Sequence, residues 1–219
     1  RLAAMSKDDR DFIQSLAPKL KIDVIANGVD IDYFAKTAKT RQKNPTVLFV
    51  GQFKWLPNRD ATKFLVCDIW PKIKAKVPNA RLWIVGRNPP ADILNYAGDS
   101  IKVDGGVEDI RLAYGKSSVL LAPIRNGRGT KYKILEAMAT KTPIVGTKLA
   151  TEGIDIRDGE HALIARDAQS LADQTVRILG NPALGTRLAN AAYQLVAQKY
   201  NWQKISASLD QVYQEVGKK

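Results

Sequence analysis

The stretch Arg125-Asn126-Gly127-Arg128-Gly129-Thr130-Lys131-Tyr132-Lys133-Ile134-Leu135-Glu136-Ala137-Met138 joins two glycines, four basic side chains and one carboxylate at a helix start. Gly127 and Gly129 let the backbone approach an anion closely, amides such as those of Gly129 and Thr130 at a helix N-terminus offer free donors, and Arg125, Lys131 and Lys133 supply positive charge. That chemistry suits a phosphorylated, hydroxyl-rich ligand. Glu136 cannot serve a phosphate and is better placed to accept hydrogen bonds from hydroxyls. Lys133 and Glu136 are three residues apart, so on a helix they share a face and can address one ligand or form a local ion pair. The loop is not a P-loop, because Gly129-Thr130-Lys131 reverses the order of that motif's last residues, and it lacks the third glycine of a dinucleotide fingerprint. On the loop alone, a helix start with turn glycines and solvated lysines is an equally open reading.

Such a loop needs elements to hold it. Thr46 to Val50 is an apolar run ending at Gly51, and a helical pattern follows from about Asn58 with Ala61, Leu65, Ile69 and Ile73 facing inward and Pro71 predicting a kink. Strands are predicted again at Arg81 to Val85, Ile101 to Val103, Val119 to Ala122, Pro143 to Gly146 and Ala162 to Ala165. Helices are predicted near 91–97, 108–116, over the segment carrying Glu136, and at 169–180, 183–199 and 201–216. Strands alternating with helices imply an α/β fold with a parallel sheet and helices on both faces, whose ligands bind beyond the carboxyl ends of the strands. Gly51, Gly86, Gly105-Gly106 and Gly127 each fall just after a strand and are expected to gather at that edge. Upstream, residues 1–20 read as an amphipathic helix with Ser6 as N-cap and Phe12, Ile13 and Leu16 on one face. Residues 21–44 read as a hinge strand and a polar, lysine-rich linker, with 45–219 as the main folded unit.

The chain has 219 residues, 45% of them hydrophobic, enough for a substantial core. Lys plus Arg number 34 against 22 Asp plus Glu, a formal charge of +12 that suits nucleic acid, anionic lipid or a phosphorylated small molecule. The basic residues are spread along the chain without the aromatic interleaving of single-strand binders, so nucleic acid is not the expected partner. No run of about 18 apolar residues and no signal-peptide pattern appears. The chain begins at Arg1, and is expected to be a piece of a longer cytoplasmic polypeptide. Its single cysteine, Cys67, reads as a buried inert thiol and its single histidine, His161, as part of an exposed turn before a strand, so neither is expected to serve a nucleophilic triad. No clustered Asp pair suggests a Mg2+ site, and no cofactor is required.

The segment from Arg125 to Met138, followed by Thr142-Pro143-Ile144-Val145, resembles the donor-site segment of group 1 glycosyltransferases (glycosyltransferase family four), which have the two-domain GT-B fold. Val24-Ile25-Ala26-Asn27-Gly28-Val29-Asp30 with Tyr33-Phe34, Phe49-Val50-Gly51 with Trp55-Leu56-Pro57-Asn58, Trp83-Ile84-Val85-Gly86-Arg87-Asn88-Pro89 and Tyr200-Asn201-Trp202 resemble other stretches of that family, in the expected order. The resemblance runs from about Ile22 to Val216. It implies the Rossmann-like C-terminal half of a GT-B fold, with residues 1–20 as a remnant of the N-terminal, acceptor-binding domain.

The resemblance further implies a glycosyltransferase that moves a sugar from a UDP- or GDP-linked donor to a glycan or lipid-linked acceptor with retention of configuration, with peripheral contact at the inner membrane face. Glu136 matches the second glutamate of the family's Glu-x7-Glu pattern, implied to hold ribose hydroxyls, while the first falls at Arg128. Gly51 is followed by Gln52 rather than the usual Arg, and Pro57 stands near the usual Lys, so the diphosphate must be neutralised by Arg125, Lys131 and Lys133, with Lys54 and Arg87 as weaker candidates. The Asp104-Gly105-Gly106-Val107 loop sits where the family clamps the base. Thr151-Glu152-Gly153-Ile154 matches a loop near the donor, though Glu152 reads equally well as a solvated turn residue. A noncatalytic nucleotide-sugar-binding module, a basic nucleic-acid-binding protein and a GT-B epimerase remain as alternatives.

Overall fold

The computed structural model describes residues 1–40, 42–127 and 129–217. Two strands, β1 (Leu2–Ala4) and β2 (Ile22–Val24), pair in parallel across α1 (Lys7–Leu16), whose N-cap Ser6 accepts from the amide of Asp9. Strand β1 is not foreseen from its three residues. Helix α1 buries none of its residues, and Phe12 and Leu16 are 62% and 72% exposed. The segment expected as hinge and linker contains a short helix, α2 (Ile31–Ala35), capped by Asp30, whose Ile31 and Phe34 are buried in the main core.

The main sheet has six strands: β3 (Thr46–Val50), β4 (Arg81–Val85), β5 (Ile101–Asp104), β6 (Val119–Ala122), β7 (Ile144–Gly146) and β8 (Leu163–Ile164). All pairs are parallel and the order is β5-β4-β3-β6-β7-β8. The apolar residues Val47, Leu48, Phe49, Leu82, Ile84 and those of β6 are fully or nearly fully buried, as strands covered on both faces require.

Between β3 and β4 the chain forms α3 (Leu56–Phe64) and α4 (Trp70–Lys76), joined by a π-helical turn over Leu65–Ile69. Pro71 has no N–H to continue the α-helical ladder, and the widened turn just before it takes up the mismatch, with the amide of Trp70 bonding the carbonyl of Leu65. Ala61, Leu65, Ile69 and Ile73 point into the core as their spacing predicts. Cys67, expected to be buried, is exposed: two residues from Leu65 it stands on the opposite side of the helix.

The remaining helices are α5 (Ala91–Leu94), α6 (Ile110–Gly115), α7 (Tyr132–Ala139), α8 (Ala168–Gly180), α9 (Pro182–Lys199) and α10 (Trp202–Gly217), with a 3-10 turn at Lys148–Thr151. Helix α4 packs on α8, and α7 on α9 and α2, giving the two helical layers. Helix α10 returns to the first βαβ unit, where Glu215 pairs with Arg1 at 2.8 Å. His161, expected to be exposed, is buried in the turn before β8, where its Nδ1 accepts from the amide of Arg157 at 3.0 Å.

Strand order reverses between β3 and β6, because β4 and β5 extend the sheet one way and β7 and β8 the other. The loops leaving β3 and β6 therefore diverge to opposite faces and open a crevice at the carboxyl edge, the usual ligand position in such sheets.

Candidate functional site

The glycine loops meet at this crevice as expected. Gly86 cannot be replaced without moving backbone, since a Cβ there would lie 1.6 Å from the carbonyl oxygen of Gly51. That approach brings the ends of β3 and β4 together. A cleft of about 390 Å3 lies over them, lined by Gly51, Gln52, Gly86, Arg87, Gly106, Val107, Glu108, Tyr33 and Glu136. The backbone N–H and C=O groups of Gly106 and Val107 make no hydrogen bond among the described residues, leaving them free for a ligand.

From β6, Ile124 leads into the loop before α7. Gly127 and Gly129 have φ of 88° and 84°, a left-handed conformation in which side chains are strained, and the Cβ position of Gly127 lies 3.0 Å from Pro57. The loop after β6 therefore touches the first turn of α3. Lys131 folds back, its ammonium donating to the carbonyls of Gly127 and Gly129, so it fixes the loop's shape while bringing charge to it. Burial lowers its pKa and the field of Glu152 opposes that. No side chain caps α7, whose N-cap position is Lys131 itself. Arg128 lies outside the described residues.

Lys133 and Glu136 share a face of α7 but do not pair with each other. The Lys133 ammonium donates to Oδ1 of Asn58 at 2.7 Å and stands 4.7 Å above the ring of Phe49. Burial drives its pKa down to about 7, against the favourable field of Glu136. Glu136 accepts from the buried Tyr114 hydroxyl at 2.8 Å through Oε2, and burial raises its pKa while that bond and Lys133 lower it. One carboxylate is thus held in place by one phenol, leaving Oε1 available to ligand hydroxyls.

Arg125 behaves differently from its expected part. Its guanidinium bonds both carboxylate oxygens of Asp60 on α3, at 2.6 and 3.2 Å, and lies 4.1 Å over the ring of Phe64. It clamps the loop to α3. Lys54 is exposed and does not line the cleft, whereas Arg87 and Val107 do.

Asn58, Tyr114 and Tyr33 belong to the site without being singled out as ligand-handling residues by sequence. Tyr114 reads as a core residue of α6, and only its partner reveals its part. Tyr33 is fixed at the cleft by a hydrogen bond to Asp109 at 3.1 Å and by the guanidinium of Arg111, 3.9 Å from its ring. A larger cleft, about 730 Å3, lies between α1, α9 and the turn before β8. Most of its charges are already paired, Lys199 with Asp155 at 2.5 Å and Arg157 with Glu160 at 3.1 Å, and it gathers none of the glycine loops. Among the described residues no three His, Cys, Asp or Glu side chains cluster as metal ligands, and no helix is long and apolar enough to cross a membrane.

A parallel sheet with a glycine-built crevice at its switch point defines a Rossmann-like α/β protein. The sequence pattern of the family described as "Glycosyl transferases group 1" matches residues 44–181, and the chain belongs to that family. It is 31% identical over 206 residues to a phosphatidyl-myo-inositol mannosyltransferase of Mycobacterium tuberculosis, covering 88% of this chain and 53% of the relative. A glycogen synthase of the same organism is 26% identical over 204 residues, covering 88% of this chain and 48% of that protein. The chain therefore spans about half the length of the curated relatives it matches.

Solved structures agree on the fold. A sucrose-phosphate synthase from Thermosynechococcus elongatus superposes with a TM-score of 0.81 at 22% identity, covering 98% of this chain and 57% of the other. An Anabaena protein in complex with UDP and glucose superposes with a TM-score of 0.77 at 15% identity, covering 97% of this chain and 62% of the other. The fold is the Rossmann-like half of the GT-B arrangement.

Proposed function

We propose that this chain is the donor-binding half of a transferase that moves a sugar from a UDP- or GDP-linked donor to a glycan or lipid-linked acceptor with retention of anomeric configuration. The observation that carries the reading is the joining, at one crevice, of the free backbone at Gly106 and Val107 with the Tyr114-held carboxylate of Glu136, which shares a face of α7 with the ammonium of Lys133. The base would lie against Val107 and Tyr33, the ribose hydroxyls would donate to Glu136, and the diphosphate would meet Lys133, Lys131 and the amides of Gly129 and Thr130. Arg125, tied to Asp60, would hold this loop for the ligand.

Charge builds on the diphosphate as the anomeric bond breaks, and cations and amides fixed in advance stabilise it more in the transition state than in the ground state. The acceptor half would pack against the apolar side of α1, where Phe12 and Leu16 stand exposed. A lipid-linked acceptor would bring the protein to a membrane surface, and the formal charge of +12 favours an anionic one.

Titration calorimetry with UDP, GDP and their nucleosides tests the reading. Binding of at least one diphosphate, much tighter than its nucleoside and lost in Glu136→Ala and Lys133→Ala, is expected. Equal affinity of nucleoside and diphosphate, or indifference to both substitutions, overturns the donor site.

A further inference from the structure

Three groups of alternating polarity flank the start of α7. On the side of β3 to β5 is Glu136, one oxygen already held by Tyr114. At the centre are the uncapped amides of α7 with Lys131 and Lys133. On the side of β7 is Glu152, which follows the 3-10 turn Lys148–Thr151. Its Oε2 is closed off from solvent without a hydrogen-bond partner, the one side-chain atom in that state among the described residues. A carboxylate only accepts, so it is satisfied only when donors come to it, and an enclosed acceptor without one calls for an explanation.

Glu152 is not remote from the ligand loop. Gly153, at φ 78°, is pressed against it so closely that a Cβ would lie 3.1 Å from Oγ1 and 3.9 Å from the amide nitrogen of Thr130. The carboxylate also acts electrostatically on the Lys131 ammonium. A phosphate would be repelled by Glu152, whereas a neutral polyol would supply the donors it lacks. Hydroxyl acceptor, cationic centre and hydroxyl acceptor then follow one another as ribose, diphosphate and hexose do in a nucleotide sugar.

We propose that Glu152 accepts hydrogen bonds from ring hydroxyls of the transferred sugar and so takes part in choosing the donor sugar. This rests on the donor-site reading above. The nucleotide part of the ligand would be indifferent to Glu152, and the sugar part would depend on it.

The test compares wild-type protein with Glu152→Gln and Glu152→Ala by calorimetry, using UDP and GDP against UDP-glucose, UDP-N-acetylglucosamine and GDP-mannose. For at least one pair, wild-type protein is expected to bind the nucleotide sugar more tightly than its nucleotide, and both variants to lose on the order of tenfold of that margin. UDP and GDP themselves should bind the variants unchanged or tighter. Melting temperatures should hold or rise, since an enclosed acceptor oxygen without a donor is removed or replaced. A margin absent from the wild-type protein for all three sugars, or retained in both variants, overturns the proposal. A drop in melting temperature in both variants with the margin retained would assign Glu152 to folding instead. If wild-type protein binds neither UDP nor GDP, it is the donor site itself that fails.

Discussion

The ammonium of Lys133 sits 2.7 Å from Oδ1 of Asn58 and 4.7 Å above the ring of Phe49, so a side chain from the helix after β6 ends at the first turn of the helix after β3. It fills with charge a loop where Gln52 and Pro57 supply none. The same burial that directs this side chain lowers its pKa to about 7. A diphosphate alongside would favour the charged form and raise that value, so above pH 7 binding must take up a proton. Affinity for UDP-glucose or GDP-mannose, whose diphosphates do not titrate near neutrality, is expected to be flat below pH 7. Above it, affinity should fall by up to about tenfold per pH unit. Calorimetry at pH 8 in buffers of different ionisation enthalpy should show net proton uptake, absent in Lys133→Met. Equal uptake in that variant would remove Lys133 from the ligand.

The hydroxyl of Tyr114 positions Glu136, and this couples a core residue to ligand choice. Tyr114→Phe is expected to cost about 1 kcal/mol of stability for the lost hydrogen bond, a fall in melting temperature of a few degrees. Freed to turn, Glu136 should also discriminate less between ribose and deoxyribose. The ratio of UDP to 2′-deoxy-UDP affinity should shrink in Tyr114→Phe and vanish in Glu136→Ala. A ratio unchanged in both variants would show that Glu136 does not meet the ribose.

The positions of the main-sheet strands and of most helices were legible because the signals are local: apolar runs closed by glycine in β3 and β4, and four-residue spacing from Ala61 to Ile73. What escaped depends on contacts between distant parts of the chain. Strand β1 is three residues long and exists through its pairing with β2. His161 is buried because the turn from Arg157 folds over it, a contact its polar neighbours do not announce. In the site, charge and glycine marked the loop before α7, but where each cation points is decided by its partners. Arg125 and Lys133 look equivalent in sequence, yet Asp60 holds one and Asn58 directs the other inward.

Arg125 and Asp60 should therefore behave as one unit. Arg125→Ala and Asp60→Ala are each expected to weaken diphosphate binding severalfold by loosening the loop, and the double variant to be little worse than either, since the contact is already gone. A direct contact between Arg125 and the diphosphate predicts the opposite pattern: Arg125→Ala far more damaging, with Asp60→Ala neutral or beneficial. Affinities of the four proteins for UDP and GDP decide between them.

The meeting of Gly51 and Gly86 makes a last, sharper demand, because there the cleft floor is backbone against backbone. A methyl at residue 86 would stand 1.6 Å from the carbonyl oxygen of Gly51, which cannot swing aside as a side chain could. Gly86→Ala must part the ends of β3 and β4, at a cost on the order of 1–3 kcal/mol or more, as for other overpacked sites. Gly98 is the control: its Cβ position has no neighbour within 4 Å and its φ is not left-handed, so Gly98→Ala should be neutral, or stabilising by about 0.4–1 kcal/mol through the unfolded chain. Urea denaturation measures both. Because Gly51 and Gly86 also line the cleft, Gly86→Ala should lose affinity for the whole nucleotide, base and diphosphate together, even at temperatures where it remains folded. A Gly86→Ala protein as stable and as competent to bind as the Gly98→Ala control would show that the two strand ends do not meet in this way.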